Sequence, residues 1–325
     1  MKVRYSYLAQ QFDECDDLWD ALKAFVPTGD FTLGKPLEEF EDRFAQLIGT
    51  RFAIGVNSGT DAIKLSLKAL GIGPGDEVIT AANTFVATVG AIAELGAVPV
   101  FVDCDDTFCM NVEQVEDSIT DRTRAIVPVH FTGYMTDMRI LKPLADRHNL
   151  PIVEDACQSI LGAIEGRNAG TWGLSGAFSL HPLKNLNCCG DGGFVITNNS
   201  SVANKIRQYR NHGFVERNYS EEFGVVSRMD EIQAAILNYR IKRLDIVIKK
   251  RRSNADRYRK LLNKDFVFLP TEEKGNFSSM HTFVIQCDNR DLLATFLAEN
   301  GVQTAVHYPR PIHLQPAAKY LGYQA

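Results

Sequence analysis

Seven short β-rich runs, separated for most of the first 200 residues by stretches with helical periodicity, constrain this chain more than any other feature. They cover residues 52–56, 78–80, 98–103, 125–129, 152–155, 177–180 and 194–197. Strands that alternate with helices imply parallel βαβ units, so the expected fold class is α/β with a large, mostly parallel seven-stranded sheet. One helix is readable in detail. Residues 36–48 open on Pro36, which suits a first helical position, and place Leu37, Phe40, Phe44 and Leu47 on one apolar face. Past Thr197 the pattern changes: residues 229–262 read as a long helix, with Ile232, Ile236 and Tyr239 on one face and a solvated basic run at 249–252. Strand-like runs at 266–269, 282–286 and 302–306 and a helix at 291–299 then suggest a smaller α+β unit. The expected division is a large domain over 1–245 and a small one over 246–325.

Charge and cysteine content narrow the function classes. The 325 residues carry 35 basic and 40 acidic side chains, a net charge of −5, which argues against a nucleic-acid partner held by phosphate neutralisation. Seven cysteines without a C-x-x-C pair suit free thiols in a reducing compartment, so a cytoplasmic location is expected. Polar residues from Gln10 to Glu14 interrupt the N-terminus before any apolar run, and no signal peptide is expected. Residues 81–102 hold a single charge, Glu94, yet Gly90, Gly96 and Pro99 make a helix followed by a buried strand the expected structure, with no membrane partner.

Three places combine into chemistry. The first strand runs into Ser58, Gly59, Thr60 and Asp61 ahead of a helix, a pattern that cradles phosphate, although Ser58 to Asp61 also fits an ordinary capping box. The strand at 152–155 ends in Glu154 and Asp155, with Gln158 three residues on, where open α/β sheets bind ligands; Asp155 also fits a helix N-cap. The strand at 177–180 delivers His181, Pro182, Leu183 and Lys184 ahead of a Gly-rich turn at 190–193. Anion cradle, acid and amine, in that order along one sheet, are what pyridoxal 5′-phosphate (PLP) needs: a phosphate site, a carboxylate for the pyridine nitrogen and a lysine for the aldehyde. Competing cofactor motifs fail. Gly71, Gly73 and Gly75 precede a strand instead of following one, no Walker A motif is present, and His181, Cys188 and Cys189 match no zinc spacing, so no metal is expected.

With these stretches the sequence resembles the DegT/DnrJ/EryC1/StrS sugar aminotransferases, PLP enzymes of the aspartate aminotransferase fold type. The resemblance runs through residues 34–40, 58–62, 74–78, 84–88, 154–158, 179–185, 190–193, 210–213, 228–235 and 307–313. It implies Lys184 as the Schiff-base lysine, Asp155 at the pyridine nitrogen, Gln158 near the ring hydroxyl and Phe85 stacked on the ring, although Phe85 by residue type alone reads as core. It further implies Gly59, Thr60 and Ser179 on the phosphate, a PLP-binding role for the large domain, and Arg228, His307, Tyr308 and His313 toward substrate. The implied activity transfers an amino group from an amino acid, glutamate first, to a nucleotide-linked keto-sugar, with C3 favoured over C4 by Asp191 in the turn. A homodimer with shared active sites is implied as well.

Two departures stand out. Val226 occupies the position where relatives place an Asn that reaches the partner's cofactor phosphate, and the sequence stops at Ala325, where relatives continue, so a shorter small domain is expected. The alternatives are a PLP-dependent sugar dehydratase, whose relatives carry His where Lys184 stands, and a non-catalytic PLP-binding regulator.

Overall fold

The computed structural model describes residues 2–13 and 15–323. Its centre is a seven-stranded sheet: β1 (Phe52–Val56), β2 (Glu77–Ala81), β3 (Val98–Val102), β4 (Thr123–Val127), β5 (Val153–Asp155), β6 (Ser175–Ser179) and β7 (Gly193–Thr197). Two ladders, β3-β2-β4 and β5-β6-β7-β1, are joined by parallel bridges from Ile126 to Ile152 and from Val129 to Asp155. Only β7 runs antiparallel, to both β6 and β1, so the carboxyl ends of the other six strands share one edge. The α/β, mostly parallel architecture expected from the sequence is present, with strand ends displaced by one or two residues.

Nine α-helices among the described residues flank and extend this sheet: α1 (Asp16–Phe25), α2 (Lys35–Ile48), α3 (Gly59–Ala69), α4 (Val86–Ala93), α5 (Met138–Arg147), α6 (Ser200–Tyr209), α7 (Glu231–Arg240), α8 (Leu244–Leu261) and α9 (Arg290–Glu299). Both sheet faces are buried, because alternate strand residues point to opposite sides. Phe178, Phe194 and Ile196 pack with Phe40 and Phe44 of α2 on one side, while Ile54, Ala177 and Val195 pack with Ile63 and Leu67 of α3 on the other. The rings of Phe178 and Phe194 stack at 4.8 Å between centroids, and Phe44 sits 4.3 Å from Phe194.

The structure corrects four readings. In α2 the buried face is Leu37, Phe40, Phe44 and Ile48, and Leu47 is 45% exposed. At 3.6 residues per turn Ile48 falls within about 20° of Leu37 and Leu47 about 80° away. The long helix expected over 229–262 is two helices broken by a 3₁₀ turn at Ile241–Arg243, and Ile232 faces solvent. Arg243, at φ −107 and ψ 0, leaves the helical region, and the break lets α7 bury Leu237 while α8 buries Leu244 and Ile248. In the basic run, Lys249 and Lys250 are solvated, but Arg251 donates to the carbonyl of His281 and Arg252 to Glu272 and the carbonyl of Ser278.

The fourth correction concerns the strands expected at 266–269, 282–286 and 302–306, which shrink to single bridges, Phe268 to Gln286 and Val3 to Val302. The second ladder stops for a visible reason: Tyr5 N–H, which the next rung would give to a backbone carbonyl, donates instead to the side-chain Oε1 of Gln303. The apolar segment at 81–102 resolves into α4 and β3, as expected, and no helix among the described residues is long and apolar enough to cross a membrane. All seven cysteines are free thiols.

Candidate active site

The shared carboxyl edge of the strands opens into a cleft of about 2260 Å³, lined by Gly59, Thr60, Phe85, Asp155, Gln158, Ser179 and Lys184. At the start of α3, Ser58 in extended conformation caps the helix by accepting the Asp61 N–H at 3.1 Å. The capping reading is thus correct, and it leaves the N–H groups of Gly59 and Thr60 at the positive end of the helix without a partner inside it. Gly59 is required here, since a Cβ would stand 2.7 Å from Ser179 Cβ and 2.9 Å from Cys157 Sγ. Any larger residue pushes the helix start away from Ser179 and Cys157.

Asp155 ends β5 and is 5% exposed. Its Oδ1 accepts the Cys157 N–H at 3.1 Å, closing a tight turn in place of the helix cap that sequence allowed, and no helix follows. Its Oδ2 accepts from the Thr88 hydroxyl at 2.7 Å, and Thr88 in turn lies 2.7 Å from the Thr84 hydroxyl. These two threonines bracket Phe85, the residue that caps α4, and Phe85 is 51% exposed toward the cleft, so it is not core. Gln158 is oriented by a separate loop: Thr132 N–H donates to Oε1 at 2.9 Å, and the side chain also meets the Tyr308 phenol.

Lys184 sits on the loop between β6 and β7, held by a turn in which its N–H donates to the His181 carbonyl at 2.8 Å. Asn185 next to it donates to the Ser279 carbonyl at 2.8 Å. Part of the Lys184 surface stays open to the cleft, yet protein surrounds the amine closely. Desolvation lowers its pKa from the ordinary amine value, against the opposing pull of Cys157 and Asp155. The Cys157 thiol is pushed well up by burial and by Asp155.

The opposite wall carries His307, Tyr308 and His313, which also line the cleft. Tyr308 lies 5.7 Å from Phe85 between ring centroids, and burial raises its phenol pKa, with Asp155 adding to the rise. Arg228 lies outside the cleft of its own chain and donates to Asn211 Oδ1 at 3.1 Å. Val226 is exposed on the same segment. Sequence reasoning missed Thr88 and Thr84 as partners of the acid, although their i, i+4 spacing at a helix start was a usable signal. It also missed His281 and Arg251, which face the cleft from separate segments and carry no local signature. Among the described residues no group of three His, Cys, Asp or Glu side chains is placed to hold a metal ion.

Comparison with known proteins agrees with this geometry. The chain is 41% identical to a "Pleiotropic regulatory protein" of Geobacillus stearothermophilus over 100% of this chain and 88% of the relative. It is 40% identical to the dTDP-3-amino-3,4,6-trideoxy-alpha-D-glucose transaminase of Streptomyces venezuelae, over 98% of this chain and 83% of that one. The crystal structure of NtdA from Bacillus subtilis with bound cofactor PMP superposes with a TM-score of 0.91 at 38% identity, covering 99% of this chain and 77% of that one. The family model of the DegT/DnrJ/EryC1/StrS aminotransferases matches residues 13–325, and the chain belongs to that family.

Proposed function

We propose that this chain is a PLP-dependent aminotransferase that converts a nucleotide-linked keto-sugar into an amino sugar, with glutamate as the first candidate donor and C3 as the favoured position. The observation that carries the reading is the meeting of a desolvated lysine, a doubly hydrogen-bonded buried acid and a glycine-only anion cradle at one sheet edge. The residues fit the cofactor: the absence of a Cβ at Gly59 lets the start of α3 pack against Ser179 and Cys157, which brings its N–H groups beside Ser179 in the cleft. PMP, the amine form of the same cofactor, is bound in the Bacillus subtilis relative, and the 3-amino sugar in the Streptomyces venezuelae relative's name supports C3.

When bound, PLP supplies an electron sink for the carbanion formed at the donor carbon. The chain's own side chains do the rest. Thr60 and Gly59 N–H groups and Ser179 hold the phosphate at the helix start. Asp155, fixed by Thr88 and the Cys157 N–H, keeps a proton on the ring nitrogen. Lys184, its amine made easier to deprotonate by burial, carries a proton between the donor Cα and the cofactor's C4′. Phe85 would cover one ring face, and Gln158, whose side chain also meets the Tyr308 phenol, would serve the ring hydroxyl.

Incubating the PLP-loaded protein with glutamate and a panel of nucleotide-linked 3-keto and 4-keto sugars, with NMR of the products, tests the reading. An amino sugar and 2-oxoglutarate in equal amounts are expected. The name of the Geobacillus relative favours one second reading, a PLP-binding regulator, and cofactor binding without turnover on the whole panel is the result that selects it.

A further inference from the structure

The negative groups of the proposed substrates still need a partner, and the wall opposite the sheet edge has one to offer. His281 is buried with its Nδ1 unpartnered, and the Nε of Arg251 is likewise buried without a partner. The two residues touch: Arg251 Nη1 donates to the His281 carbonyl at 2.6 Å. A buried polar atom left unmade costs on the order of 1–3 kcal/mol, so the pairing of two such atoms in one cleft wall marks polar capacity the chain does not use internally.

His281 is held rigidly where it is. Ser279 N–H donates to the Gly133 carbonyl at 3.1 Å and Thr282 N–H to the Thr132 carbonyl at 3.2 Å. Gly133 permits this approach, since at φ +108 its Cβ would stand 2.6 Å from the Met280 nitrogen. The charged groups that act on the His281 ring are Lys184, Arg251, His307 and His181, and together with burial they hold its pKa well below the ordinary imidazole value. The carboxylate that lines this cleft beside Lys184, Asp155, is engaged by the Thr88 hydroxyl and the Cys157 N–H. Tyr5 closes the cluster, its hydroxyl 3.2 Å from His307 Nε2. All of these residues line the same cleft as Lys184.

We infer that His281 and Arg251, flanked by the Tyr5–His307 pair, form an anion seat beside Lys184 that takes the carboxylate attached to the donor's Cα. The inference rests on the aminotransferase reading. In an amino acid the carboxylate is bonded directly to the carbon whose proton Lys184 moves, whereas a diphosphate on C1 of the sugar is separated from a C3 carbonyl by C2. The shorter tether fits a seat adjoining the lysine. A bound carboxylate brings the negative charge that the cluster lacks and favours protonated imidazole.

A sugar-linked phosphate presents similar charged oxygens, so the test separates the two sources. Calorimetry on the PLP-loaded protein measures 2-oxoglutarate, the keto-acid counterpart of the donor, and inorganic pyrophosphate, as a stand-in for the diphosphate. His281→Gln and Arg251→Met are expected to weaken 2-oxoglutarate binding at least tenfold and pyrophosphate binding less than twofold, with Arg251→Lys intermediate. Ring ¹⁵N shifts should show His281 gaining a proton as 2-oxoglutarate binds to the unaltered protein. The reverse pattern of losses overturns the carboxylate assignment, and unchanged affinities in folded Arg251→Met and Arg251→Lys overturn the seat. Transamination by a protein whose variants bind both anions normally removes the seat and leaves the enzyme; anion binding lost in the variants of a protein that never transaminates keeps the seat and removes the enzyme.

Discussion

The sheet edge and the wall that faces it across the cleft hold their side chains in place by different means. At the edge, Gly59, Asp155 and Lys184 follow from strands whose flanks carry the stacked rings of Phe178 and Phe194 with Phe44 tilted against them, all buried. On the wall, α9 buries none of its residues, Leu292 and Phe296 are exposed, and the expected strands are reduced to single bridges. Position there comes from a small apolar cluster of Ala255 and Met280 with Phe108 and Phe131, against which Phe283 and Tyr308 pack, and from directed polar contacts such as Arg252 to Glu272 and Arg259 to the Tyr134 hydroxyl at 2.8 Å. Chemistry that tolerates little displacement thus sits on close-packed strands, and recognition sits on segments held by a smaller apolar cluster, which open at lower cost.

The largest expected effect is at the edge. Lys184→Ala should cut single-turnover amino transfer from glutamate by about 10⁴-fold, the upper end for a lost acid–base group, while its melting temperature holds or rises because a desolvated amine is gone. Turnover within tenfold of normal breaks the assignment. Packing comes next. Phe44→Ala should lower unfolding free energy by about 3–5 kcal/mol, whereas Phe296→Ala on α9 should stay within about 0.5 kcal/mol, both read from urea melts. Equal losses would mean the wall is packed as tightly as the sheet. Asp155→Asn should still bind PLP yet lose about 10²–10³-fold in the same single-turnover assay, since an amide cannot hold the ring proton by charge.

A smaller, pH-dependent effect belongs to the wall. His281, His307 and His181 all have pKa values lowered in the folded protein, chiefly by burial, with Lys184 contributing to each. Below about 6.5 the unfolded chain binds protons that the folded chain refuses, so these groups support stability above that pH and the support is lost as pH falls through it. Each contributes a slope of at most about 1.4 kcal/mol per pH unit. Melting temperature should therefore drop between pH 7.5 and 5.5, and His281→Gln should flatten the drop; an unchanged slope in that variant places the titration elsewhere.

The same contrast decides what could be read in advance. Strands buried on both faces leave continuous apolar runs, and a catalytic loop that follows such a run inherits its position, which is why Gly59, Asp155 and Lys184 were legible from spacing and resemblance. Phe85 was legible only by resemblance, because exposure into a cleft leaves the same local pattern as burial. The α7–α8 break depends on which side chains α7 and α8 bury on either side of Arg243, and the lost ladder beside Val302 depends on one Gln303 amide oxygen taking a backbone N–H from residue 5. His281 and Arg251, 30 positions apart, meet only through tertiary hydrogen bonds. No periodicity records a contact of that kind.

The smallest expected effect lies outside both regions, at Val226, and it extends the comparison across two chains. Val226 is 57% exposed, its backbone bridged to Asn211, on the segment that also carries Arg228 away from the cleft of its own chain. In the homodimer that the resemblance implies, this segment is expected to reach the partner's phosphate cradle, where a valine offers no donor. Val226→Asn should leave stability within about 0.5 kcal/mol, as an exposed substitution does. A charge-assisted hydrogen bond gained at the phosphate should tighten PLP binding up to about tenfold, the equivalent of about 1.4 kcal/mol. Equilibrium dialysis of both proteins at matched concentration measures the difference, and dilution below the dimer's dissociation range should erase it, because the added donor acts on the other subunit. A gain that survives dilution would place the contact within one chain, and no gain at any concentration would mean that this segment does not reach a partner's cradle.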